Sequence, residues 1–279
     1  MAKQLRLSNP HSVCYINSAI QLLSEVKLDD WGQGNPAGRF MNKIASIKQH
    51  GGCFSAWTEV NSFVDEEFRH TTRQGDAHEI LLEILRCMHN DTLVNSLFGV
   101  SLITITKCLM CGNMSERPDL STQLTVSNQS RSMNAFFTSF FVPETLKECY
   151  ECERCCKADS KIRTTAEMSN RVKSWPPYLL VHILRFEEHH KINNEFQFPL
   201  VFIGADSADP EYVLDGAILH IGITKESGHY ACLGRIDDNS FYYYDDDKLP
   251  RITYTTDINS SIFKQQVYIL LYRRRTRKI

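Results

Sequence analysis

The sequence predicts an α+β fold, on three observations. Apolar residues recur at helical spacing through the first third of the chain, and alternating or unbroken apolar runs fill the last third. Between them stand two cysteine pairs with C-x-x-C spacing. At 279 residues and 42% hydrophobic content, the chain can bury a large core. A net charge of -2 argues against nucleic acid or an anionic membrane as the main partner. No apolar run reaches membrane-spanning length, and no secretory signal opens the sequence. The ten cysteines are therefore expected to be reduced, metal-bound or catalytic, in the cytoplasm or nucleus.

The first helix is expected to begin at Cys14. Ile16, Ala19, Ile20 and Leu23 line one face, while Asn17, Ser18, Gln21 and Ser24 fall on the others. Pro10 and Ser12 upstream are loop and cap residues. A thiol at such a helix start lies near unpaired N–H groups that favour the thiolate, though it reads equally as a buried cysteine before a helix. Residues 29–38 carry turn formers and read as a loop. Short helices follow around Phe40, Ile44 and Ile47, and around Trp57, Val60 and Val64. The clearest helix covers 76–88, with Ala77, Ile80, Leu81, Ile84, Leu85 and Met88 in one stripe. Asp76 and Glu79 open it, either as stabilising first-turn acids or as one charged face.

Beyond Phe98 the composition shifts. Residues 102–107 alternate and read as a strand running into Cys108 and Cys111; 127–134 are polar and read as a loop tip. Cys149, Cys152, Cys155 and Cys156 come next. Cys108, Cys111, Cys152 and Cys155 have the spacing that wraps a tetrahedral Zn2+, although Cys149 also stands C-x-x-C to Cys152. Residues 100–174 thus read as a small metal-stapled insertion. The almost unbroken apolar run 179–186 reads as a central strand covered on both faces. Further strands are expected near 212–214, 218–223, 229–236, 241–244 and 266–272. The basic run 273–278 reads as a solvated end, with nuclear import or anion binding as the alternative.

Two later segments offer partners for Cys14. Gly228-His229-Tyr230 places a glycine before an imidazole, so that a substrate backbone can approach it. Tyr244-Asp245-Asp246-Asp247 ends a strand in carboxylates. Gly234, Asp237, Asp238 and Asn239 between them suggest a hairpin, which sets the strand of His229 beside the strand ending at Asp245. A nucleophile, a base and a residue orienting the base is the set that thiol hydrolysis requires. Strand packing at Gly-His-Tyr and a solvated aspartate turn is the plainer alternative.

Taken together, the Cys14 box, Gln74-Gly75-Asp76-Ala77-His78-Glu79, the two knuckles, 179–186, Gly228-His229-Tyr230, 242–246 and 267–272 form a recognisable succession. It resembles the catalytic domain of the ubiquitin-specific proteases, a papain-like cysteine protease family of deubiquitinases. The resemblance implies a single catalytic domain shaped as a hand. Residues 1–98 would be a helical thumb, 99–174 zinc-binding β fingers, 175–272 a β palm and 273–279 a basic tail. It also implies Cys14, His229 and Asp245 as the triad and Asn9 as an oxyanion-stabilising residue. Asp76, Glu79, Gly228, Tyr230 and Asp246 would contact substrate, and Zn2+ would be structural. The implied partner is ubiquitin and its conjugates, met by a monomer; another ubiquitin-like modifier and a ubiquitin-binding pseudo-enzyme are the alternatives. The chain departs from the family pattern at His11, usually glycine, and Val13, usually threonine. It departs again at Gly75, usually glutamine, Ile80, usually phenylalanine, and Leu184, usually lysine.

Overall fold

Every residue of helix α1 (Cys14–Leu23) is buried in the computed structural model. The structure describes residues 4–10, 12–69, 74–156, 163–187, 190–204, 209–224 and 227–275, so His11 and residues 276–279 lie outside it. Asn17, Ser18 and Gln21 fall outside the apolar stripe of α1, yet the helix is wedged between the large sheet and its neighbouring helices, and these polar side chains are buried as well. The amino-terminal region otherwise comprises β1 (Leu5–Leu7), α2 (Pro36–His50), β2 (Gly52–Phe54), α3 (Trp57–Val60), α4 (Ala77–Arg86) and α5 (Asp91–Phe98). β1 and β2 form a small parallel pair. The expected loop over 29–38 is cut short because Asn35 caps α2, accepting from the Gly38 N–H at 2.7 Å, with Pro36 in the first turn. Helix α5 was not expected; Asn90 caps it in the same way.

The fingers are a four-stranded antiparallel sheet. β3 (Val100–Cys108) pairs with β4 (Met114–Ser121) on one side and with the later β7 on the other. Between them the chain leaves this sheet. β5 (Leu124–Ser127) and α6 (Met133–Phe141) join the palm, where the sequence suggests a loop tip. Ser132 starts α6 by accepting from the Ala135 N–H at 3.0 Å, and Phe136 and Phe137 are buried. β6 (Glu144–Glu151) and β7 (Arg163–Ser174) complete the fingers.

The palm contains β8 (Tyr178–Leu184), β9 (Phe186–Glu187), β10 (His190–Lys191), β11 (Val201–Ile203), β12 (Glu211–Ile221), β13 (His229–Arg235), β14 (Ser240–Tyr244), β15 (Arg251–Tyr254), α7 (Thr255–Ile258), α8 (Ser261–Gln266) and β16 (Val267–Arg274). β9 and β10 form a separate hairpin. The remaining strands build one sheet in the order β15-β14-β13-β12-β16-β8-β5, with β11 also on β12 and only β5–β8 parallel. The strands expected at 212–214 and 218–223 are one strand, β12. Its register against β16 shifts between Leu214 and Gly216, so Asp215 forms a bulge that an Asp-Gly dipeptide disguises as a turn. Asp215 accepts from Arg273 at 2.5 and 3.2 Å. Arg275 pairs with Glu211 at 2.6 Å, so part of the basic tail is spent on ion pairs within the fold.

Thumb side chains and one face of the palm form one apolar core; α6, Phe196, Phe202 and the opposite face form a second. Arg185 crosses the palm with no exposed surface. It donates to the carbonyls of Ile192 at 3.0 Å, Asn194 at 2.8 Å, Lys264 at 2.5 Å, and Val267. A buried guanidinium is tolerated only when its donors are satisfied in this way.

Candidate active site

Cys14 opens α1 and His229 opens β13, and the packing of thumb on palm brings these two starts together. The His229 ring is held from both sides. Its Nε2 lies 2.7 Å from Asp245 Oδ1, and its other side hydrogen-bonds the Cys14 thiol. The thiol is the largest influence on His229; with Asp245 it outweighs desolvation and pushes the imidazole up to about 9. The β13–β14 hairpin delivers Asp245 to the imidazole, as the turn residues between the two strands suggest. Burial pushes the Asp245 carboxyl up, but Lys248 at 2.7 Å from Oδ2 and His229 hold it below the ordinary carboxylate value.

Asp246 follows at a φ of +53° and turns the other way. Its Oδ2 accepts from Asn9 Nδ2 and its Oδ1 from Asn17 Nδ2, each at 2.8 Å. Burial raises its carboxyl, against the pull of both amides. Asn9 Oδ1 in turn accepts from the Val13 N–H at 2.7 Å, so this amide is fixed at both ends beside the start of α1. Asn17 also reaches the carbonyls of Leu7 and Ser8 at 3.2 Å. Asn17 is not marked as a site residue by the sequence, where it simply falls off the apolar stripe of α1; the full burial of α1 reveals that it clamps Asp246.

The remaining residues expected at the substrate are divided by the fold. Gly228 is exposed at a φ of +149°, and a Cβ there would lie 2.6 Å from the Ile221 carbonyl oxygen and 2.7 Å from His220 Nε2. The glycine is therefore demanded by close packing on β12, quite apart from any substrate. Tyr230 is corrected: only 1% exposed, its side chain is a core residue beneath His229, because strand alternation turns it inward. Asp76 has a structural role as well. It caps α4, accepting from the His78 N–H at 2.7 Å, and takes the Tyr268 hydroxyl at 2.8 and 3.0 Å. Its carboxylate is buried while Glu79 is exposed. Both nonetheless line a cleft of about 390 Å³ with Tyr15, Glu67, Phe68, Gln74 and Gly75.

Comparison with known proteins decides the family. The model of the family described as ubiquitin carboxyl-terminal hydrolase matches residues 5–272. The chain belongs to this ubiquitin carboxyl-terminal hydrolase family. Ubiquitin carboxyl-terminal hydrolase 23 of Arabidopsis thaliana is 30% identical over 76% of the chain, which spans 26% of that relative. Ubiquitin carboxyl-terminal hydrolase 17-like protein E of Mus musculus is 25% identical over 97% of the chain, which spans 55% of it. Among solved structures, that of the SAGA Ubp8/Sgf11/Sus1/Sgf73 DUB module bound to ubiquitin aldehyde superposes with a TM-score of 0.77 at 20% identity. It covers 97% of this chain and 69% of that one, and shows the same fold.

This ubiquitin carboxyl-terminal hydrolase chain also carries a cluster of four cysteines able to hold a metal ion. The sulfurs of Cys108, Cys111, Cys152 and Cys155 all lie within 4.8 Å of one another, where the β3–β4 turn meets the end of β6. Cys108 Sγ stands 3.9 Å from Cys155 Sγ, and Cys111 Sγ 3.5 Å from Cys152 Sγ. Cys149 is exposed, its thiol turned to the Lys147 carbonyl at 3.0 Å. The structure thus separates it from the cluster, which spacing alone leaves open.

Proposed function

We propose that the chain is a thiol-dependent deubiquitinase, hydrolysing the isopeptide or peptide bond after the carboxyl-terminal glycine of ubiquitin. Cys14 attacks the carbonyl carbon, and His229 holds the thiol proton on the ring nitrogen opposite Asp245, then delivers it to the leaving amine. Asp245 fixes the tautomer and orientation of the imidazole. Asn9, whose amide is locked by Val13 and Asp246, and the N–H groups at the start of α1 stabilise the tetrahedral oxyanion. Water then attacks the thioester, with the neutral imidazole as base. The observation carrying this reading is the run from Cys14 through His229 to Asp245, with the next residue, Tyr15, on the wall of a cleft that Glu67, Asp76 and Glu79 also line.

The cysteine cluster supports a structural Zn2+. In a tetrahedral zinc–thiolate site with bonds of about 2.3 Å, sulfurs stand about 3.8 Å apart. The sulfur separations of 3.5 and 3.9 Å bracket that value. The metal would cross-link the strand ends and take no part in the reaction.

The test is a panel of ubiquitin-like proteins carrying a carboxyl-terminal electrophile. Covalent capture of ubiquitin at Cys14, lost in Cys14→Ala, is the expected result. Capture of none by the folded protein overturns the reading. Capture of a different modifier instead would favour the second reading, which Gly75 in the cleft and the 45% exposed Leu184 support.

A further inference from the structure

Glu25 is a charged residue with no part in the reaction above, yet its side chain is only 10% exposed. It lies just past α1, against two glycines on adjacent palm strands. Gly216 of β12 and Gly234 of β13 are cross-strand partners, and their missing side chains leave a notch in the sheet. A Cβ on Gly234 would fall 2.0 Å from Glu25 Oε1 and 2.9 Å from Tyr244 Cε2, and one on Gly216 would fall 2.8 Å from Leu22 Cδ1. The end of α1 therefore sits inside the sheet surface rather than on it. Lys48 of α2 locks the seat, with Nζ 2.7 Å from Glu25 Oε1 and 2.9 Å from the Ser24 carbonyl oxygen. A carboxylate in such a place is costly unless paired, and a cation at a helix carboxyl end is favourable.

The notch is at one end of a matched pair of rods. From Cys14 to Glu25 a helix rises about 16 Å, and from His229 to Gly234 a strand rises about 17 Å. Cys14 meets His229 at one end and Glu25 meets Gly234 at the other. With lengths so nearly equal, the far contact fixes the axial setting of the near one. We propose that Glu25 is a positioning residue: seated in the Gly216–Gly234 notch, it sets how far along β13 the helix α1 lies, and hence the distance from Cys14 to His229. This rests on the thiol mechanism above.

The test uses the full chain and reads alkylation of Cys14 by iodoacetamide against pH, alongside kcat and KM on a ubiquitin substrate. Gly234→Val should expel Glu25 and lift α1. Alkylation near pH 6.5, where a lone thiol is little ionised, should fall about tenfold, and kcat should fall with KM within about twofold, since small misplacements cost large factors. Glu25→Ala should move both in the same direction by about threefold. In Glu25→Ala with Gly234→Val, the valine takes the space the carboxylate leaves and presses only on the edge of the Tyr244 ring, so the alkylation profile should recover about threefold or more from that of Gly234→Val. Parental profiles in both single variants overturn the proposal, as does a folded double variant no better than Gly234→Val. If Gly234→Val does not fold, an unshifted profile in Glu25→Ala overturns it alone. Because alkylation needs no modifier, a parent protein that alkylates as a paired thiol but cleaves no ubiquitin substrate refutes the proposed function and leaves this test intact.

Discussion

The palm and the fingers are both twisted antiparallel sheets, but they are held together by different means. Along β12 every residue from Tyr212 to His220 is buried, and β8 is buried from Tyr178 to Ile183. In the fingers β4 and β6 have no buried residue at all. The few buried side chains there include Cys108 and Cys152, at the tip where no helix lies over the strands. One sheet is stabilised by apolar burial on both faces; the other has its thiols gathered where a core is missing. The proposed metal would thus substitute for hydrophobic core in the fingers, whereas the part that carries Cys14 and His229 has a core of its own.

The contrast is broken most directly by removing the cluster. Cys108→Ser with Cys152→Ser should abolish bound zinc and unfold the fingers, since structural zinc contributes on the order of 10 kcal/mol in small domains. Hydrogen exchange should then show β3, β4, β6 and β7 unprotected while α1 and β13 stay protected, and Cys14 should still alkylate. Fingers that remain protected without metal would refute the substitution. On the cleft side, neighbouring aspartates separate two roles. Asp245→Ala should lower kcat by about 10²–10⁴-fold, as losing the orienting group of a triad does. Asp246→Ala, acting through Asn9 and Asn17, should cost about tenfold to hundredfold. Steady-state rates in the opposite order would reverse the assignment.

The pH dependence sharpens the cleft further. His229 is raised from its ordinary 6.5 to about 9. Its charged form is favoured in the fold, so its contribution to stability is complete below about 6.5 and is lost as pH rises through about 9. kcat/KM should fall over the same upper range, as the imidazolium that protonates the leaving amine disappears. A profile flat beyond pH 10 would show that His229 is not so paired. The smallest effect belongs to Asp76. Asp76→Ala removes a helix cap and leaves the Tyr268 hydroxyl without this acceptor, so stability should drop by about 2 kcal/mol, read as melting temperature. A large loss of kcat/KM at unchanged melting temperature would show that Asp76 acts on substrate from the cleft wall.

How much the sequence discloses follows the same division. The central strand through Val181, the hairpin that joins His229 to Asp245, and the stripe on α4 are legible because period and turn chemistry agree there. Asp215 misleads because a bulge uses the same residues as a turn. Asn17 and Asp76 mislead for another reason. Polarity marks a residue as wanting partners, but does not say whether solvent, substrate or the fold itself supplies them. Tyr230 lies one residue from His229 and faces the opposite way, a fact fixed by strand geometry that a motif written in letters conceals.

The position of β16 has a consequence for how the chain comes into being. This strand follows all the others described, yet it lies between β12 and β8, at the centre of the palm. The carbonyls of Lys264 and Val267, which complete the shell around the Arg185 guanidinium, arrive with it. On a ribosome releasing residues in order, the palm waits as two unfinished half-sheets. Each has an open edge, and a costly charge awaits burial between them, until β16 has emerged. Closure then depends on contacts between residues about fifty to ninety-five positions apart, the kind that form slowly. The palm should accordingly be most exposed to aggregation and proteolysis before β16 is in place, and the seating of this late strand should be the event that joins its two halves into one sheet.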